Sequence, residues 1–176
     1  MAGARRPCRA ELPEGAGHGS LFPPARANLA TLYNRTRRNP EAEDQLREGI
    51  RRQPDAGELH YSLGLLLAEE ERYPDAAASL ARAAELIPGR ARIRYNLALV
   101  DSKLGRERDA DLAMIEASRL DPLDPDILYA VTYRTAEEGR WEQALPLAER
   151  LVELRPDAES QGLLQRIRSR LKATSP

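Results

Sequence analysis

Tyr61, Tyr95 and Tyr129 stand 34 residues apart, and Tyr133 lies one helical turn beyond the last of them. A phenol ring offers a large apolar face and a single polar tip. A row of such rings therefore suits gripping a peptide or protein surface rather than breaking bonds. Asn28 and Asn96 fall beside this row, and an amide carries donor and acceptor together, which matches the backbone of an extended ligand. Arg92, Lys103, Glu58, Glu69, Asp126 and Glu137 would add a rim of mixed sign. The expected site is thus Asn28, Tyr61, Arg92, Tyr95, Asn96, Tyr129 and Tyr133, and its chemistry is recognition. A second reading of the same tyrosines is that they fill space between neighbouring repeats.

Other chemistries find little support in the residue types. Cys8 is the single cysteine, and His18 and His60 are the only histidines, so no cluster has the spacing of a zinc site. Asp121, Asp124 and Asp126 lack the glycine and terminal glutamate of a calcium loop and read as a junction between repeats. Asn34-Arg35-Thr36 matches a glycosylation acceptor by letter only, since it lies in an expected helix. There is no nucleophile elbow, phosphate loop or Cys/His pair, so neither an enzyme nor a cofactor is expected, and no small-molecule substrate. Lys plus Arg number 27 against 28 Asp plus Glu, a net charge of −1 that creates no global attraction to nucleic acid or anionic membrane. No apolar run approaches the roughly 20 residues that span a bilayer, and Met1 to Ser20 has no apolar signal region. The chain as written is expected in the cytoplasm, with a protein or extended peptide as partner. Arg166, Arg168, Arg170 and Lys172 leave weak nucleic-acid contact through the last helix as an alternative.

The elements that would position the tyrosines are helices. Hydrophobic content is 41%, aromatic content is 5%, and Ala, Leu, Arg and Glu dominate. The 34-residue step also links Pro54, Pro88, Pro122 and Pro156, then Ala42, Ala76, Ala110 and Ala144, then Leu29, Leu63, Leu97 and Val131. Four repeats follow: 23–56, 57–90, 91–124 and 125–158. Within each, apolar residues recur at helical spacing in two bursts around a polar break, as in Leu59, Leu63, Leu66 and Leu67, then Ala76, Leu80, Ala83 and Ala84. Each repeat is a helix, a turn and a helix. Asn39 before Pro40, Pro74, a capping box of Asp55 with Glu58, and Asp124 before Pro125 mark helix starts; Asp157 precedes the last amphipathic stretch; Gly105 and Gly139 mark stops.

The pattern resembles the tetratricopeptide repeat, whose consensus sets a large residue, Leu, Gly or Ala, Tyr, Ala, Phe, Ala and Pro in order. The second repeat matches it best through His60, Leu63, Gly64, Leu67, Ala76, Leu80, Ala83 and Pro88; the third does so through Leu97, Ala98, Ala110, Met114, Ala117 and Pro122. Gly49, Thr132, Pro146 and Leu151 depart from it. The resemblance implies an all-α, right-handed α-solenoid of four hairpins whose first helices form a concave, partner-binding groove. Small residues at Ala30, Gly64 and Ala98 let the paired helices approach. Residues 159–176 are expected to form a capping helix and short tail, with Leu163, Leu164, Ile167 and Leu171 as its apolar stripe, and residues 1–22 to be disordered. The total is nine helices. The resemblance does not extend to the chaperone-carboxylate clamp, because Ala27 and Thr31 stand where lysine and asparagine are needed.

The runs Ala27 to Tyr33 and Leu59 to Leu66 also resemble the repeat tails of bacterial multihaem cytochromes. That likeness implies an accessory module of an electron-transfer or secretion assembly, periplasmic if it is a detached tail of an exported protein. No Cys-x-x-Cys-His occurs, so haem is not carried over.

Overall fold

The computed structural model describes residues 39–174, and every regular element among them is a helix. In chain order these are α1 (Asn39–Arg52), α2 (Gly57–Glu69), α3 (Tyr73–Leu86), α4 (Ala91–Lys103), α5 (Glu107–Leu120), α6 (Pro125–Glu137), α7 (Trp141–Leu154) and α8 (Ala158–Thr174). The pairs α2 with α3, α4 with α5, and α6 with α7 are hairpins, and each stacks on the next through α4 and α6. Helix α1 packs on α2, while the expected first helix of the first repeat, with Asn28, lies outside the described residues.

Two of the expected helix starts are made by their carboxylates. Asp124 Oδ1 accepts the backbone N–H groups of Asp126 at 2.9 Å and Ile127 at 3.2 Å, with Pro125 opening α6. Asp157 Oδ1 accepts the Ser160 N–H at 2.8 Å at the start of α8, and these backbone donors hold its carboxyl below the usual carboxylate range. The capping box expected at α2 does not form. Ala56 occupies its N-cap; Asp55 instead accepts from Arg82 at 2.9 Å and Glu58 from Arg90 at 2.6 Å. Both carboxylates are drawn to arginines that the fold brings up from α3 and the loop after it, and Ala56 has no side-chain acceptor to cap α2 in their place. At α1 the Asn39 Oδ1 is buried and meets no donor among the described residues, so the expected cap is not made there either.

All three hairpin turns close alike. Glu71 at φ 59°, Gly105 at φ 70° and Gly139 at φ 74° adopt the left-handed conformation, each 34 residues from the next. The following N–H then reaches back five residues, Arg72 to Leu67 O at 2.9 Å, Arg106 to Asp101 O at 2.9 Å, and Arg140 to Thr135 O at 3.1 Å.

The core runs along the stack as a chain of clusters. Leu46, Leu59, Leu67, Leu80 and Ile93 fill its first part; Ala98, Met114, Ala117 and Ile127 the middle; Leu128, Ala148, Leu151, Leu163 and Ile167 the end. Leu163 and Ile167 are buried against the fourth hairpin, so α8 closes the array, and each such side chain contributes roughly 2 kcal/mol by leaving water.

Candidate functional site

The first helices α2, α4 and α6 carry the expected site, and the repeat stacks their equivalent positions into rows. The row Tyr61, Tyr95, Tyr129 is not equally available. Tyr61 is only 8% exposed, belongs to the core, and its Oη accepts from Asn96 Nδ2 at 2.9 Å across the repeat boundary. Tyr61 and Asn96 are thus partners of each other. Burial raises the phenol pKa of Tyr61, Tyr95 and Tyr129, so all three rings keep their protons at neutral pH.

Tyr95, Tyr129 and Tyr133 line a cleft of about 560 Å³ between the third and fourth repeats. Its apolar wall also includes Ala98, Leu99 and Met114, and Ser102, Arg134, Glu137 and Glu138 give its edge polarity. The Tyr129 and Tyr133 rings stack with centroids 6.3 Å apart and planes 18° from parallel. Arg92 does not point free into solvent: it donates to Asp124 at 2.6 Å and Asp126 at 2.9 Å, with its guanidinium 5.3 Å from the Tyr95 ring centre. Arg155 does the same service one repeat on, donating to Asp126 at 2.9 Å while lying 5.3 Å from the Tyr129 ring centre. These cations brace the rings and spend their charge within the fold.

A row the sequence reading passed over lies one turn further along the same helices. Leu65 is 38% exposed, Leu99 43% and Tyr133 41%, and they too are 34 residues apart. Three repeats therefore present large apolar groups to solvent at one position. The 34-residue step in Leu65, Leu99 and Tyr133 was the available signal.

The three arginines of α8 are engaged as well. Arg168 donates to Glu149 at 2.8 Å, Arg166 lies 3.8 Å from Glu137 and 5.1 Å from the Tyr133 ring centre, and Arg170 is 5.9 Å from that of Trp141. Among the described residues no His, Cys, Asp and Glu side chains group as a metal site, and no helix is long and apolar enough to cross a membrane.

A family model described as tetratricopeptide repeat matches residues 28–91. No curated protein matches the sequence. Among solved structures, the chain is similar to YrrB, "a TPR protein with an unusual peptide-binding site", at 18% identity, TM-score 0.71, covering 86% of this chain and 78% of that one. It is similar to MamA from Desulfovibrio magneticus RS-1 at 19% identity and TM-score 0.71, over 85% of each chain. MamA AMB-1 is similar at 25% identity and TM-score 0.63, over 78% of this chain and 75% of that one. The hairpin inside the matched segment recurs with the same 34-residue step and the same left-handed turn into the fourth repeat, so residues 28–91 match the tetratricopeptide repeat and the rest of the described chain shares its fold with tetratricopeptide-repeat structures.

Proposed function

We propose that this protein is a non-catalytic interaction module that holds an extended peptide segment of a partner protein along α2, α4 and α6, anchored in the cleft of Tyr95, Leu99, Tyr129 and Tyr133. The observation that carries the reading is the solvent-facing row Leu65, Leu99 and Tyr133, of which Leu99 and Tyr133 line that cleft. Large apolar groups left partly exposed at one position in successive repeats are available to a ligand, and they lower the cost of docking because the rigid stack already orients them. Asn28 would add an amide contact at the first repeat. Tyr61 and Asn96 take a supporting role, since each already satisfies the other. The peptide-binding site named for the YrrB structure supports the same use of this fold.

The test is selection of a displayed linear-peptide library against the full chain, followed by affinity measurement. Enriched peptides should carry an aromatic or aliphatic anchor. Leu99→Asp or Tyr133→Ala should weaken them about tenfold, or about 1.4 kcal/mol, with helicity and melting temperature retained because both side chains are exposed. Failure of any peptide to enrich, or enriched peptides indifferent to both variants, removes the groove reading.

A further inference from the structure

We propose a second docking surface, on α5, for an acidic amphipathic helix of another protein. Arg108, Leu112, Ile115 and Arg119 follow one another at i, i+4, i+7 and i+11 and so form a single stripe on the helix, about 16 Å from end to end. Leu112 is 57% and Ile115 65% exposed, the most exposed of the large apolar side chains among the described residues.

The stripe is not a product of the repeat. The equivalent positions one repeat earlier are Pro74, Ala78, Ala81 and Glu85, and one repeat later Glu142, Pro146, Glu149 and Glu153. The same hairpin therefore folds with small or acidic residues in these places, and Leu112 and Ile115 serve no packing need that the other repeats share.

Charge identifies the occupant. From Arg47 to Arg170, each of the other arginines meets a carboxylate or, for Arg170, the Trp141 ring. Arg108 and Arg119 alone have no such partner among the described residues, and they are exposed at the two ends of the apolar pair. A cleft of about 360 Å³ beside Ile115, walled by Met114, Val131 and Thr135, gives an incoming side chain depth. Its own carboxylates are committed, Asp111 to Arg134 at 2.5 Å and Glu138 to Arg140. What remains uncommitted is two cations flanking two apolar groups. The complement is a helix with two apolar residues three apart and a carboxylate four residues outside each, docking by an apolar ridge with an ion pair at either end. A nucleic-acid backbone or an anionic membrane fits less well, since Glu107, Asp109 and Glu116 share the helix with the stripe.

The experiment uses the full chain and two labelled helical peptides that present Leu and Leu three apart, flanked at four residues by Glu in one and by Lys in the other. The Glu peptide should bind at least tenfold tighter than the Lys peptide, and 0.5 M salt should reduce the difference. Arg108→Glu with Arg119→Glu should invert the preference, and Ile115→Asp should weaken both peptides tenfold with melting unchanged. Tyr133→Ala should leave this binding intact, which separates the surface from the groove. Equal affinity for the two peptides, or full binding by Ile115→Asp, overturns the proposal. So does a dimer that Ile115→Asp converts to monomer, blockade by a peptide of residues 1–38, or capture of phosphatidylserine vesicles lost on arginine reversal without any peptide preference.

Discussion

A Cβ placed on Gly64 would lie 2.7 Å from Leu80 Cγ and 3.2 Å from the Leu80 backbone nitrogen, so the second hairpin closes only because that atom is missing. Gly64→Ala is expected to cost about 1–3 kcal/mol in urea denaturation. Gly162, whose Cβ would meet nothing within 4 Å, is the matched control: Gly162→Ala should stabilise α8 by about 0.5–1 kcal/mol. The same contact is solved differently in each repeat. Gly64 faces Leu80; the step of 34 puts Ala98 with Met114 and Thr132 with Ala148, so bulk moves from the second helix to the first as the array proceeds. Thr132 is fully buried and its hydroxyl donates to Leu128 O at 2.7 Å, which disposes of the polar group that made it look like a departure. The site was less legible than this core. Tyrosines stand out by type, but Tyr61 is core and Leu65 is not. A leucine in a leucine-rich helix reveals its exposure only through its phase about the axis, and a shift of one turn keeps it on the same face, closer to or further from the neighbouring helix.

Helix ends divide between what lies nearby in the chain and what arrives from afar. Asp124 and Asp157 could be read as caps because acceptor and N–H donors are two or three residues apart. Asp55 could not be excluded as one, because its actual partner Arg82 is 27 residues away and meets it only when α3 folds back. The turns tell a similar story. Gly105 and Gly139 announced the left-handed stop, whereas Glu71 holds the same conformation with a Cβ and no such announcement. Left-handed backbone costs a non-glycine residue about 1 kcal/mol. Glu71→Gly should therefore raise stability by up to about that much and Gly105→Ala lower it similarly, with melting curves by circular dichroism as the readout.

At the scale of the whole molecule, stability resides in interfaces between neighbours, and the last of them is made by α8. Removing residues 158–176 bares Leu128 and Leu151. The shortened chain should melt earlier and self-associate in sedimentation; an equally stable monomer would show that α8 covers nothing of consequence. Acid should loosen the other end. Arg72 donates to Glu43 at 2.8 Å, joining α1 to the second hairpin, and this bond lowers the Glu43 pKa. A carboxyl lowered in the folded state contributes its stability fully above its unfolded pKa near 4.3 and loses it as pH falls through the lower folded value. Glu43→Gln should thus flatten the pH dependence of stability below about pH 4 relative to the parent chain. The edge of the array near the cap has its own ties: Asp126 takes Arg92 and Arg155 at 2.9 Å each, Arg92 continues to Asp124, and Arg155 to Asp157 at 3.0 Å. Arg134 ties the third repeat to the fourth elsewhere, through Asp111 and Glu107, so mechanically this is a coil spring laced by ion pairs across its turns. Because the lacing is ionic and the spine is apolar, added salt is expected to soften the coil while leaving its rest structure in place, so that a ligand that must open the coil would enter more readily as the lacing slackens.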